Sequence, residues 1–474
     1  MEKREHWGSQ LGFILASAGS AVGLGNIWKF PYITGENGGG AFVLVYLLAI
    51  TIIGIPVMLA EFVIGRKSQR NPVGAYHALK PGSSWIIGGY LGILTGFIIL
   101  SFYSVVGGWT LGYMIKAITT GFRNFSSVEV AGKHFGSFVS NPWYAVLFHF
   151  IFMGLSILIV YKGIKQGIEK WSKILMPAIF VILFLLIIKG LSMKGAMKGV
   201  QFYLSPDFSK LTPKSILIAL GHAFFSLSLG MGVMITYGSY LSKKENLWTS
   251  ALTIVGIDTA IALLAGLAIF PAVFAMGFQP NAGPGLVFNI LPAIFAKMSL
   301  GFLWGFLFFL LLAIAALTSA ISLLEVVTSY FIDELHFNRK TATVLFGAVI
   351  FLLGVPSALS FGVLSKYTIS GKTFFDIMDN LASNYFLPIG GFIISLFVGW
   401  VWGTKHAVDE IRHGSHNFAD VHLITLLAGL KDDPSHNSPV HVWTLASTWG
   451  IFLRFISPVA IFIAFLFTIG AIKL

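Results

Sequence analysis

The sequence predicts an all-α, polytopic membrane protein with about eleven transmembrane helices. Three observations carry that reading. Hydrophobic residues fill 56% of the 474 positions and charged residues 11%, a balance foreign to water-soluble domains. Apolar runs of about 20 residues, enough to cross hydrocarbon, recur along the whole chain. Two of these runs are interrupted by glycines and polar residues, at Ser20–Asn26 and at Ser226–Gly232.

The first span, 9–34, holds the run Ser-Ala-Val-Gly-Leu-Gly-Asn halfway along its length. Lipid offers no partner to a peptide group, so a helix unwinds at that depth only where protein or a polar cavity surrounds it. Spans 41–65, 87–118, 143–161 and 168–190 follow. The sixth, 215–241, repeats the interruption as Ser-Leu-Ser-Leu-Gly-Met-Gly, and paired breaks of this kind point to a transporter's binding site. Glycines also let membrane helices pack closely, which is the plainer reading of either run alone. Spans 248–276, 301–333, 341–358, 374–402 and 448–472 complete the set.

Orientation follows from the loops. Lys3 and Arg4; Arg66, Lys67, Arg70 and Lys80; Lys162, Lys165, Lys170 and Lys173; Lys243 and Lys244; and Arg339 and Lys340 occupy alternate connections. The positive-inside rule puts them, and the N-terminus, in the cytoplasm, with the C-terminus outside. Five lysines between Lys189 and Lys214 oppose the rule, but they lie in a long loop of less topological weight. This scattering also argues against a nucleic-acid surface despite the net charge of +12. The N-terminus lacks the pattern of a removable signal peptide. With no cysteine in the chain, disulfides and thiolate metal sites are excluded.

Two segments read as non-spanning. Pro280, Pro284 and Pro292 break 280–299 into an expected short helical hairpin on the outer surface. The polar stretch 403–446 carries six histidines from His406 to His441 without regular i, i+4 pairing, and reads as a mobile cytoplasmic loop rather than a metal site.

Asp258 is the most telling single residue, since it sits mid-span among alanines, leucines and isoleucines. A carboxylate at the bilayer centre costs about 2.5–3.5 kcal/mol on insertion scales, so it marks a functional site or an acid neutralised by packing. No lysine or arginine shares its span, and a bound cation is the attractive counter-charge. Ala315, Thr318 and Ser319 fall at i, i+3 and i+4 on one helix face, adding oxygens of the kind a hard cation takes. Such hydroxyls also commonly bond their own helix. Glu61 is suited either to capping the freed N–H groups of a broken helix or to anchoring at the interface. Lys29, Asp376 and Asp379 lie near the outer face and Arg4 and Asp333 near the inner one. Opposite charges there suit gates that open alternately.

At these residues the chain resembles the neurotransmitter:sodium symporter family, over essentially its whole length. The resemblance rests on Arg4-Glu-His-Trp7, Gly23-Leu-Gly-Asn-Ile-Trp-Lys-Phe-Pro31, Glu36-Asn-Gly-Gly-Gly-Ala-Phe42, Trp109-Thr-Leu-Gly112, Phe225-Ser-Leu-Ser-Leu-Gly230 and Leu317-Thr-Ser319. It implies a leucine-transporter-type fold: residues 1–190 (helices 1–5) and 215–402 (helices 6–10) form inverted five-helix repeats. An extracellular loop at 191–214, a cytoplasmic loop at 403–447 and helix 11 at 448–474 complete that division. It implies two Na⁺. One would meet Ala21, Asn26, Ser226, Asp258 and the substrate carboxylate; the other Gly19, Val22, Ala315, Thr318 and Ser319. The same carboxylate would meet N–H groups near Leu24 and Gly25 and the hydroxyl of Tyr103. The substrate ammonium would lie near Ala21, Phe225 and Ser228. Ile99, Phe225, Met231, Ser319 and Leu323 would line the side-chain pocket, and Gly23 and Ser226 complete the shell. Lys29 with Asp379 would form the outer gate and Arg4 with Asp333 the inner one.

Departures from the family pattern refine this expectation. Gly23 stands where monoamine carriers place an aspartate, so the substrate brings its own carboxylate: an α-amino acid. Asp258 replaces a usual asparagine and supplies the negative charge that chloride gives to relatives, which implies transport without a chloride requirement. Ala262 lies where the family's leucine transporter has a glutamate. Met231 replaces a common phenylalanine, and its flexible thioether suits a roomier pocket for aliphatic and aromatic side chains. Lys29 replaces an arginine and loses the bidentate fork, so its pairing with Asp379 is expected to be loose or water-mediated. Gly167 and Pro177 match a Gly-x9-Pro pattern in helix 5, implying local unwinding or a simple kink. The expected protein is thus a sodium:amino-acid symporter of the plasma (inner) membrane, in contact with lipid and not an enzyme. A proton-coupled or channel-like carrier on the same scaffold is the alternative, and an enzyme built on the histidine-rich loop a remote third.

Overall fold

A computed structural model describes residues 4–280, 285–415, 418 and 444–472. Helices make up almost all of it; no strand occurs among the described residues beyond isolated bridges such as Gly39 with Pro206. Among the described residues, nine unbroken helices are long and apolar enough to cross a membrane, and the pair Gln10–Ala21 and Gly25–Glu36, bent by 49°, makes a tenth span. A second interrupted pair, Pro213–Ser226 and Val233–Gly238, occupies the predicted sixth span. Most predicted limits fall within three residues of those observed. Spans 3 and 8, Ile86–Thr119 and Gly301–Asp333, pack along each other at the centre of the molecule.

Both predicted interruptions are present, and each has a local cause. Ser9 caps the first helix by accepting from Gly12 N at 3.0 Å. That helix stops where Val22 turns extended, at ψ 103°, and winding resumes at Gly25. In span 6 the residues Ser228, Gly230 and Gly232 all take positive φ, at 53°, 80° and 75°. Glycine adopts that conformation freely and serine only at a cost. Gly230 also needs its missing side chain, because a Cβ there would lie 2.5 Å from Leu387 O.

Glu61 of span 2 takes the capping alternative. It is fully buried, and its Oε1 accepts from Gly230 N at 2.8 Å, with the N–H groups of Met234 and Ile235 also directed at it. A carboxylate thereby satisfies donors that the break in span 6 sets free.

Two loop expectations need correction. The described part of 280–299 is not a surface hairpin but one buried helix, Leu286–Lys297, with Leu286, Val287, Ala293 and Ile294 all fully covered. Pro292 occupies the first turn of its α-helical part, where no N–H is required, so it does not break the helix. The stretch 403–446 opens with a helix, Thr404–Arg412, whose Glu410 is buried against Arg66 of span 2 at 3.0 Å. His406 and His413 lie on or beside that helix, and the other four histidines lie outside the described residues. In helix 5 the segment Ile164–Glu169 is π-helical and runs continuously into Lys170–Leu191, with Pro177 inside it. The strand of sequence between spans 5 and 6 carries a helix of its own, Ala196–Leu204, docked on span 7 through Tyr203 OH to Leu263 O at 3.1 Å.

Removing the Glu61 carboxylate leaves Gly230 N–H buried and unpaired, a loss of about 1–3 kcal/mol. Glu61→Ala is therefore expected to insert normally and to melt at a lower temperature in detergent than the parent. An unchanged melting temperature counts against the capping role.

Candidate substrate and sodium site

The two breaks face each other, and side chains of spans 2, 3, 7 and 8 surround them. Ser228 Oγ, in the second break, donates to Ser20 O at 2.9 Å, and Ser319 Oγ of span 8 donates to the same carbonyl at 3.0 Å. Gly23 N–H is taken by Asn26 Oδ1 at 3.1 Å and Leu24 N–H by the Tyr103 hydroxyl at 3.1 Å. The unwound peptide groups are thus held in fixed directions before any ligand arrives.

Asp258 is fully buried, and its two oxygens are shared between the breaks. Oδ1 accepts from Asn26 Nδ2 at 2.8 Å and Oδ2 from Ser226 Oγ at 3.0 Å. Asn26 Nδ2 also reaches Ser226 Oγ at 3.2 Å. Tyr46, buried in span 2, donates to Ser226 Oγ at 3.0 Å. Asp258, Asn26 and Ser226, separated by up to 232 positions in sequence, form one hydrogen-bonded group with Ala21 a short distance along the same broken helix.

A second oxygen-rich group lies on the other side of the first break. Thr318 Oγ1 is 3.0 Å from Ala315 O and 3.5 Å from Val22 O; Ser319 Oγ is 3.3 and 3.4 Å from the same two carbonyls. Gly19 faces Thr318 so closely that a Cβ on it would lie 3.3 Å from the Thr318 Cβ. The hydroxyls bond their own helix and also face the freed carbonyl of Val22.

Between the two groups is a small cavity of about 30 Å³. Its lining includes Ala21, Gly23, Gly25, Ile99, Tyr103, Phe225, Ser228, Met231, Ser319 and Leu323, all anticipated, together with Ser20, which was not. Leu24 contributes its N–H to Tyr103 instead of a wall, and Ser226 belongs to the Asp258 group. Gly23 is sterically required, since a Cβ there would meet Ser319 Oγ at 2.6 Å and Tyr103 OH at 2.7 Å. An aspartate could not enter without displacing both.

The two faces that the sequence leads one to expect as inner and outer differ. Arg4 Nη1 pairs with Asp333 at 2.6 Å, and its Nη2 donates to Ser239 Oγ at 2.5 Å. A second inner cluster was not anticipated: Arg339 binds Glu325 at 2.7 Å and Glu5 at 2.8 Å, while Tyr240 OH donates to Glu325 at 2.6 Å. On the outer side Lys29 makes no direct ion pair with Asp379. Its ammonium sits over the Phe225 ring, 4.4 Å from the centroid, and Asp379 accepts from Ser383 Oγ at 2.8 Å. Asp376 closes a capping box with the N-cap Thr373, accepting from Thr373 N–H at 3.0 Å and Thr373 Oγ1 at 2.7 Å.

Tyr46 gave no periodic or charge signal in the sequence. Tyr46 lies four residues beyond the Glu36–Phe42 motif, and only the fold brings it to Ser226.

The model of the sodium:neurotransmitter symporter family matches residues 4–127 and 143–426. The chain belongs to that family. It is 43% identical to an uncharacterized sodium-dependent transporter, YhdH, of Bacillus subtilis (strain 168), over 100% of this chain and 99% of that protein. It is 40% identical to an uncharacterized sodium-dependent transporter of Haemophilus influenzae, over 84% and 90% of the two chains. Among solved structures it is similar to MhsT, crystallised in complex with L-phenylalanine. The TM-score is 0.85 at 48% identity, covering 98% of this chain and 99% of that one. The fold is therefore the leucine-transporter type, and the protein is a sodium-dependent membrane transporter.

Tyr46→Phe removes one buried bond worth about 0.5–1.5 kcal/mol. The sodium concentration that half-maximally raises the melting temperature is expected to increase about two- to tenfold. An unchanged sodium titration separates Tyr46 from sodium binding.

Proposed function

We propose that this protein imports hydrophobic L-amino acids, aliphatic and aromatic, together with Na⁺ and without a chloride requirement. The observation that carries the reading is the Asp258–Asn26–Ser226 group beside the cavity that Tyr103 and the first break enclose. In this reading a sodium ion enters among Ala21 O, Asn26, Ser226 and Asp258 and takes over the role that Asn26 Nδ2 fills at Asp258. The Asn26 amide must then turn to offer its oxygen, which releases Gly23 N–H toward the substrate carboxylate. Ion and substrate each create a partner for the other, and such mutual affinity gain is what coupling requires. The second ion lies among Gly19, Val22, Ala315, Thr318 and Ser319 and holds the first break against span 8.

Asp258 brings a carboxylate of the protein's own to this site, which supports independence from chloride. Met231 and Leu323 supply adaptable apolar walls, and the L-phenylalanine held by MhsT supports an aromatic-accepting pocket here. With two Na⁺ per zwitterionic substrate, a potential of 100 mV contributes about 4.6 kcal/mol, roughly three decades of accumulation. Residues 1–190 and 215–402 act as inverted repeats in this scheme. The N-terminus is cytoplasmic and the C-terminus external, so Arg4–Asp333 closes the inner face and Lys29–Asp379 guards the outer one.

The test is uptake of radiolabelled amino acids into proteoliposomes, with sodium, chloride and pH varied separately. Leucine and phenylalanine uptake is expected to need sodium and to ignore replacement of chloride by gluconate. Sodium-independent, pH-driven uptake would instead support a proton-coupled carrier. Asp258→Ala is expected to insert and to lose sodium-dependent binding; retained sodium dependence rejects its role. Met231→Phe is expected to weaken phenylalanine about tenfold more than leucine, read by competition, because the added ring fills pocket space that the larger substrate needs.

A further inference from the structure

Five lysines between Lys189 and Lys214 lie on the face expected outside, against the usual bias of membrane loops. Two of them have acidic neighbours: Lys210 pairs with Asp207 at 3.3 Å, and Lys214 acts on Glu36 of span 1. Lys189, Lys194 and Lys198 form no ion pair among the described residues. The elements around them offer no spare carboxylate. No Asp or Glu occurs in 170–206 or in 259–324, the stretches that bring the ends of spans 5, 7 and 8 to this face.

The three lysines mark a boundary between hydrocarbon and water. Lys189 closes span 5, and its ammonium lies 5.9 Å from the centre of the Trp304 ring in the first turn of span 8. Tryptophan collects at membrane interfaces, and lysine reaches toward them with its charged end. Leu185, one turn deeper than Lys189, and Phe184 and Ile188 beside it are exposed, a surface suited to acyl chains. Beyond Lys189 the chain enters the helix Ala196–Leu204. Ala196, Gly199 and Tyr203 are its buried side, and a Cβ on Gly199 would lie 2.4 Å from Phe270 O of span 7. The other side shows Met197 and Leu204, 70% and 57% exposed, with Lys198 among them. Lys194 and Lys198 flank the first turn of this helix, which no side chain caps. A helix N-terminus favours anions and disfavours cations, so two lysines there call for an anion that the protein does not provide. Exposed apolar side chains beside unpaired cations match the surface of an anionic bilayer.

We propose that Lys189, Lys194 and Lys198 bind the phosphate of an anionic phospholipid in the leaflet that adjoins this face. Met197 and Leu204 sit at the level of its glycerol, and its acyl chains run along the end of span 5. Each lysine brought to an anionic surface strengthens binding about fivefold. The phosphate supplies the anion that the N-terminus of Ala196–Leu204 and its two lysines lack. A lipid held there pins the connection between spans 5 and 6 against span 7. The proposal depends neither on the ions nor on the substrate assigned above.

The experiment melts the full chain in detergent micelles supplemented with phosphatidylglycerol or, at equal mole fraction, phosphatidylcholine. The parent is expected to melt at least about 2 °C higher with phosphatidylglycerol. Lys189→Gln/Lys194→Gln/Lys198→Gln is expected to lose most of that difference, and the matching triple arginine variant to keep it. Lys210→Gln/Lys214→Gln is also expected to keep it, because those two lysines already have acidic neighbours. No difference in the parent, or an equal difference in the triple glutamine variant, overturns the proposal. So does the same loss in the Lys210 and Lys214 variant, or an equal rise with soluble glycerol 3-phosphate. Should the triple glutamine variant melt lower in both lipids, the difference between the lipids still reads the site. A second readout is local. The chain has no cysteine, so Met197→Cys carries a single bimane in nanodiscs. Phosphatidylglycerol brominated on its acyl chains is expected to quench it at least about twofold more than brominated phosphatidylcholine, and the two to quench equally once the three lysines are glutamine. Equal quenching with the lysines present overturns the proposal.

Discussion

A membrane helix that unwinds must find protein partners for every peptide group it frees, and that constraint organises the whole molecule. The partners are specific. Tyr103 of span 3 takes Leu24 N–H, Glu61 of span 2 takes Gly230 N–H, and Ser319 of span 8 serves Ser20 O. Ser228 ties one break directly to the other. No single neighbouring helix supplies all of these, so both breaks must lie where several spans converge. The binding cavity is the space between those fixed peptide groups, and its position follows from backbone satisfaction before any ligand is considered.

The local chemistry of the site was legible because it resides in short runs. Glycine and serine in Ser20–Asn26 and Ser226–Gly232 announce breaks wherever they stand in an apolar segment. Asp258 announces itself by its cost. What the sequence concealed are contacts made by ordinary residues at long separation. Tyr46 is one aromatic among many, yet it meets Ser226 across 180 positions. Arg66 looks like a topology signal and is in fact fully buried against Glu410, 344 positions away. The prolines around 280–299 misled for a different reason. A proline in the first turn of a helix is harmless, and placing the start of Leu291–Lys297 required the structure.

The two faces of the molecule are fastened by different physics. Inside, Arg4, Asp333, Ser239, Arg339, Glu325, Glu5 and Tyr240 form connected ion pairs and charge-assisted bonds, several of them shielded from water. Charge-assisted bonds are roughly twice as strong as neutral ones, and shielding preserves them against salt. On the opposite face the Lys29 ammonium lies over the Phe225 ring, and Asp379 accepts from Ser383 Oγ. A cation–π contact is worth about 0.5–1 kcal/mol at an exposed site and about 2 kcal/mol when desolvated, and Lys29 is only partly exposed. One face thus carries a connected charge network, and the other a cation over a ring.

That imbalance has a functional consequence. Here closing the outer lid requires something more than Lys29 and Phe225, and the ligands supply it at the breaks. In the proposed mechanism sodium draws the Asp258 group together, and the substrate bridges the first break to Tyr103 and Phe225. Opening the inner face must then overcome the Arg4 and Glu325 clusters, which only the combined binding energy of ions and cargo can offset. Because a ligand shifts an equilibrium only by its differential affinity for the two states, the strength of the inner clusters sets how tightly ions and substrate must be coupled. The weak outer contact and the strong inner one are therefore two parts of the same device.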